Sequence, residues 1–150
     1  MPYQPSNIWL SPWNGQDWVK SAGKEQYRRA LYTYWKRTAP YPSMISFDGT
    51  AREVCTARRI RTNTPLQALV LLNDSVYWEA AGHLAAKMKE SGSVAAGIGK
   101  GYEMIMLKPM SPEKMGALMR LYEKAAATKE DPMTVVASAM LNLDEVVTKN

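Results

Sequence analysis

The feature that most constrains the fold is a short apolar segment at residues 64–73, which reads TPLQALVLLN. Thr64 is a residue type that caps the start of a helix, and Pro65 suits the first helical position, where a missing N–H costs nothing. Gln67 is the only polar side chain between Pro65 and Leu72. Because a helix that is apolar on every side is normally buried on every side, the segment predicts a central, buried helix at about 65–73.

The spacing of apolar residues predicts further helices on both sides of this segment. Tyr27, Leu31 and Tyr34 stand at i, i+4 and i+7, which favours a helix over residues 24–37. The same spacing recurs from Tyr77 to Met88. Further helix starts are predicted at the N-cap residues Asp74 or Ser75, Ser111 and Asp131.

These signals predict an all-α fold of five to six helices around the central helix at about 65–73. Residues 1–19 carry three prolines and three tryptophans and are predicted to form an irregular arm. Residues 20–150 are predicted to form a single helical domain, which we expect to be a fragment of a larger protein. The glycine-rich residues 93–101 are predicted to be a weakly helical, flexible connection.

Positive charge is concentrated in one part of the chain. The net charge is +5, yet residues 20–61 hold ten lysines and arginines against three acidic residues, a net charge of +7. Such asymmetry indicates either an anionic partner or an internal ion network. The candidate anion-binding residues are Arg28, Arg29, Arg58, Arg59 and Arg61, with Trp35 as a stacking platform.

The competing interpretation makes the same arginines structural. Buried charges are normally paired, and Asp48, Glu53 and Asp74 are the candidate acidic partners within or next to this window. We favour this structural interpretation, and it extends to Asp144 and Glu145 as further partners. The same acids, read as a catalytic or metal-binding set, match no spacing template, so the enzyme question stays open and no metal site is predicted.

Single cysteine and histidine residues limit the chemistry further. Cys55 alone excludes an internal disulfide and a Cys-based zinc cluster in this chain, and we expect it to be a small buried side chain. Because His83 is the single histidine, the chain lacks the ligands for a His-rich metal site. No cofactor is therefore predicted within this chain.

Residues 27–74 also carry a family resemblance, and they read YRRALYTYWKRTAPYPSMISFDGTAREVCTARRIRTNTPLQALVLLND. The order and spacing of uncommon residues resemble the core of the domain of unknown function 1553, the planctomycete PSD-type domain, in its C-terminal part. The matching groups are Arg28-Arg29, Trp35-Lys36-Arg37, Pro42-Ser43-Met44, Phe47-Asp48, Arg52-Glu53, Cys55, Arg58-Arg59 and the block from Thr62 to Asp74. Residues 110–113 and 141–145 resemble the family's C-terminal helices more weakly.

The resemblance implies a cellular location and partners but no reaction. Proteins of this family are typically longer and exported, and they often carry a cytochrome c-type domain. It therefore implies an extracytoplasmic, periplasmic location and a haem in a separate domain of the full protein. The partners that it implies are the N-terminal portion of the same protein or a cytochrome c-type domain.

Two functions follow as hypotheses. The first is a structural or interaction module, the C-terminal part of an exported, cytochrome-associated bacterial protein. The alternative is an anionic glycan-binding or enzymatic portion that uses the arginine cluster. Nucleic acid is the less favoured anion, and no apolar run reaches the ~20 residues that span a bilayer.

Overall fold

The computed structural model describes residues 19–36, 40–50, 54–58 and 62–148 of the chain. These residues are helical and irregular, with no strand among them, so the predicted all-α class is confirmed. The chain divides into two compact units, residues 1–62 and residues 63–150. The predicted arm at 1–19 lies almost wholly outside the described residues, so the division into arm and domain stays a prediction.

The described helical elements of the first unit are short. Two 3₁₀ turns span Gly23–Tyr27 and Ala30–Tyr32, and helix α1 spans Pro42–Ser46. The α-helix predicted over 24–37 is therefore wrong. Leu31, a member of the expected apolar stripe, is 79% exposed. The described part of the segment therefore has no buried apolar face, from which a protein helix gains most of its stability.

The second unit contains six helices among its described residues. They are α2 (Pro65–Asn73), α3 (Ser75–Lys89), α4 (Val94–Met106), α5 (Pro112–Ala125), α6 (Pro132–Leu141) and α7 (Asp144–Val147). The predicted starts are confirmed, because Thr64, Asp74, Ser111 and Asp131 each accept a hydrogen bond from a backbone N–H of the helix that follows. These caps satisfy N–H groups that would otherwise lack a helical partner.

The centre of this unit is α6 and not α2. Helix α6 packs against α2, α3, α4, α5 and α7. Its side chains Met133, Val136, Ala137 and Met140 are all buried in one apolar cluster. That cluster also takes in Ala81, Ala85, Met88, Ile98, Tyr102 and Leu118 from α3, α4 and α5.

Helix α2 has the predicted bounds, but the prediction that it is buried on all sides is wrong. Leu66, Leu69 and Leu72 are 56%, 57% and 48% exposed, whereas Gln67 is 1% exposed. Helix α2 packs against α3 and α6, and this packing leaves the three leucine side chains largely uncovered. The buried Gln67 side chain closes a capping box, in which its Oε1 accepts from the Thr64 N–H at 3.0 Å.

The glycine-rich segment is also helical, which corrects the predicted flexible connection at 93–101. Ser93 caps α4, and Gly97 and Gly101 lie buried against Met88 of α3. A Cβ atom at Gly97 would lie 2.5 Å from the Met88 carbonyl oxygen. The glycines therefore set the close approach of α3 and α4, since any larger residue at 97 would meet backbone.

Among the described residues, no helix combines the length and the apolar character needed to cross a bilayer.

Candidate functional site

The basic segment of the first unit presents arginine and tyrosine side chains to solvent. Arg28 forms an ion pair with Glu25, with Nε 2.6 Å from Oε2, and its guanidinium carbon lies 5.7 Å from the centre of the Tyr32 ring. Arg29 and Arg58 are exposed, and the described part of the chain shows no ion pair for either. Trp35 is half-buried.

The Glu25–Arg28 pair has a clear electrostatic signature. A hydrogen bond from Arg28 holds the pKa of the Glu25 carboxyl below its usual value, and the same contact raises the pKa of Arg28. Both side chains are more than half exposed, so solvent screens the pair and it contributes little to stability. The same guanidinium group also lies over the face of the Tyr32 ring.

Two of the predicted acidic partners have other bonding partners in the structure. Asp48 accepts from the backbone N–H of Thr62 at 2.8 Å and from its hydroxyl at 2.7 Å. Asp74 accepts from the N–H of Val76 and so caps α3. Arg59, Arg61 and Glu53 lie outside the described residues. The assignments of anion-binding arginines and structural acids therefore stay predictions.

The strongest polar cluster of the second unit surrounds Glu145. Its Oε1 accepts from the Tyr102 hydroxyl at 2.8 Å and from Lys114 Nζ at 2.5 Å, and its Oε2 lies 3.4 Å from Lys108 Nζ. Hydrogen bonds from Lys114 first, and then from Tyr102, lower the pKa of Glu145 to about 2. The neighbouring Asp144 accepts from the side-chain amide of Asn63.

Sequence reasoning missed this cluster. We expected Asp144 and Glu145 to pair with arginines. In the structure Lys108 and Lys114 bond to Glu145 and Asn63 bonds to Asp144. Because Arg52, Arg59 and Arg61 lie outside the described residues, the expected pairing with arginine stays a prediction. The lysines stand 37 and 31 residues away from Glu145 in the chain. The signal that could have found them is the pair of lysines flanking the Ser111-Pro112 helix start, where the chain turns from α4 into α5.

Two further side chains, Cys55 and His83, are exposed. Cys55 is an exposed free thiol, so the expectation of a buried cysteine is wrong. His83 lies on the exposed side of α3, with Nε2 4.0 Å from Glu79 Oε1. Across the described ranges, no group of three histidine, cysteine, aspartate or glutamate residues could hold a metal ion.

Comparison with known families identifies the chain. Residues 1–122 match the family model described as PSD1, protein of unknown function (DUF1553). The chain belongs to the PSD1 family. The family resemblance seen at residues 27–74 is therefore confirmed, and it extends to the first residue of the chain. No curated protein and no solved structure gives a significant match.

The PSD1 match ends within α5, but the folded unit does not. Helix α6 follows the matched residues and supplies Met133, Val136 and Met140 to the core shared with α3 and α4. Residues 141–145, whose resemblance to the family is weaker, also lie beyond the match. The second unit of this PSD1 chain therefore depends on helices outside the matched segment.

The low pKa of Glu145 predicts a specific acid sensitivity. A carboxyl whose pKa falls on folding stabilises the fold above its unfolded pKa, near 4.5, and this stabilisation is lost as the pH falls toward 2. In Glu145→Gln we expect the free energy of unfolding to depend less on pH between about 4.5 and 2. Urea unfolding of the full chain at several pH values measures this.

The matched control for this measurement is Glu123→Gln on the exposed side of α5. We expect its pH dependence to follow that of the wild type over the same interval. An equal pH dependence in Glu145→Gln and the wild type would contradict the assignment of a strong Lys–Glu–Tyr cluster.

Proposed function

We propose that this chain is an interaction module whose contact surface is the outer face of α2. The observation that supports this most strongly is the row of exposed leucines on that helix. Leu66, Leu69 and Leu72 stand at i, i+3 and i+6, so they lie along one side of the helix. We call these three residues the leucine row.

The chemistry of α2 suits an apolar partner. Residues 65–73 contain no charged side chain, so the leucine row lies on a helix without any charge of its own. Exposed apolar patches of this kind mark protein–protein contact sites in soluble proteins. Burying a leucine side chain is worth about 1.5–3 kcal/mol, so three of them supply a substantial part of a specific contact.

The proposed partner is the N-terminal portion of the same protein, as the family resemblance implies. Under this proposal the full protein is exported and extracytoplasmic, planctomycete-type and cytochrome-associated. Any haem would belong to a cytochrome c-type domain of the full protein and not to this chain. These points rest on the family resemblance and on no contact within the chain.

The leucine row predicts how a substitution changes binding. We expect Leu69→Ser to weaken binding to the separately expressed N-terminal portion by about tenfold to a hundredfold, because the leucine no longer enters an apolar contact. Isothermal titration calorimetry gives the dissociation constant. Circular dichroism checks that the variant keeps its helix content.

Leu107→Ser is the matched control, because Leu107 is another exposed leucine of the same unit that lies outside the leucine row. Its dissociation constant should equal that of the wild type. Unchanged binding in Leu69→Ser would contradict the proposal. If Leu69→Ser instead weakened binding to the cytochrome c-type domain and not to the N-terminal portion, that domain would be the partner of the leucine row.

A second candidate function is supported by the first unit, whose arginines suit an anionic glycan. Arg29 and Arg58 are exposed, and Arg28 is held over Tyr32. Guanidinium groups bind carboxylate and sulfate groups in a bidentate manner, and exposed tyrosine rings give flat faces on which sugars pack. The net charge of residues 20–61 favours the same class of ligand.

The glycan hypothesis predicts a charge-specific effect. We expect the chain to bind polygalacturonate and not neutral dextran, with an affinity that falls as salt is added. Arg29→Gln should weaken this binding about two- to fivefold, the effect of one exposed charge contact. Biolayer interferometry at two ionic strengths measures it.

Lys124→Gln removes the same charge from α5 and should leave glycan binding unchanged. Equal losses in the two variants would show a non-specific charge effect and would count against the glycan site. No binding of polygalacturonate at low salt would eliminate this second candidate and would leave the leucine row untouched.

A further inference from the structure

Three hydrogen-bond donors from the body of the second unit converge on one carboxylate. The donors are the hydroxyl of Tyr102 on α4, the ammonium group of Lys108 in the α4–α5 connection and the ammonium group of Lys114 on α5. The acceptor, Glu145, belongs to the terminal helix α7. Donors and acceptor therefore come from different parts of the fold.

Two of the three donors, Tyr102 and Lys114, also make contacts that do not involve α7. Tyr102 is 2% exposed and belongs to the apolar core, so the place of its ring is fixed by packing. Lys114 lies in the first turn of α5, which Ser111 caps, and its ammonium group lies 5.8 Å from the centre of the Tyr102 ring. Helix α5 begins here, and its free N–H groups add partial positive charge.

The acceptor lies on a short helix that is open to solvent. Helix α7 has four residues, and none of them is buried. The Glu145 side chain is 26% exposed, so water reaches the cluster. Solvent that reaches the cluster screens the ion pairs that Glu145 forms with the two lysines. Short elements with few buried side chains are the ones that open locally at low free-energy cost in native proteins.

We propose that Tyr102, Lys108 and Lys114 form a carboxylate-binding site and that Glu145 is its intramolecular occupant. An external carboxylate enters when α7 releases Glu145, and it takes the hydrogen bonds that Glu145 made. This exchange makes no covalent bond and only shifts a population. The apparent affinity for the external ligand is reduced by the fraction of chains in which Glu145 has left the site.

The experiment titrates the full-length chain with propionate, the free-acid equivalent of a glutamate side chain. Backbone amide NMR shifts of residues 108 and 114 report the site, and those of residues 144–147 report the release of α7. Ionic strength is held constant with chloride. We expect saturable shifts in the wild type, and in Glu145→Ala a dissociation constant for propionate at least about tenfold lower, since competition is removed.

Substitutions within the site separate it from general surface binding. Glu145→Ala/Lys114→Ala should lose the propionate response at residue 108, whereas Glu145→Ala/Lys124→Ala should keep it. Should Glu145→Ala fail to fold, the wild type and Lys114→Ala are compared directly, and the response is expected in the wild type alone.

Three results would overturn the proposal. One is an equal dissociation constant in the wild type and Glu145→Ala. Another is a response in Glu145→Ala with none in the wild type, which would make Glu145 a permanent structural partner. The third is no response in either protein.

Discussion

The close approach of α3 and α4 is the constraint on which the second unit depends. Gly97 and Gly101 leave room for Met88 of α3, and a Cβ atom at Gly101 would lie 2.7 Å from the Met88 Cγ. With α3 and α4 so close, α6 can pack against both, and Met140 reaches the same contact. Helix α2 then lies at the side of this arrangement, which leaves its leucine row uncovered.

Local signals in the sequence predicted most of the local features correctly, although the apolar spacing that predicted a helix over 24–37 was misleading. The all-α class, the bounds of α2 and the helix starts at Thr64, Ser111 and Asp131 all depend on residues within one helical turn of each other. Burial depends on distant neighbours, and there the predictions failed. An apolar helix such as α2 has the same sequence whether it lies at the centre of a core or presents one side to a partner. The prediction for residues 93–101 was wrong for a related reason. Glycine lowers helix propensity, which the local sequence shows, but it also allows close packing between helices, which the local sequence does not show.

The two candidate sites also differ in whether the sequence could predict them. The arginine-rich segment was visible as a concentration of charge, and the structure presents Arg28, Arg29 and Arg58 at the surface. The cluster at Glu145 joins residues from three parts of the chain, and no spacing rule connects Tyr102 with Lys114 and Glu145. Such a cluster requires the helix packing to be known first. Membership of the PSD1 family indicates no chemical activity, so the functional proposals rest on the surface features of the chain.

The account is tested most directly by adding one methyl group to the α3–α4 contact. Urea unfolding of the full chain should show Gly97→Ala less stable than the wild type by about 1–3 kcal/mol, because its Cβ atom meets the Met88 carbonyl oxygen. Gly99→Ala, with only the Met115 Cε at 3.5 Å, should be unchanged or up to about 1 kcal/mol more stable, since alanine favours a helix. Equal stability of Gly97→Ala and Gly99→Ala would contradict the packing of α4 against α3.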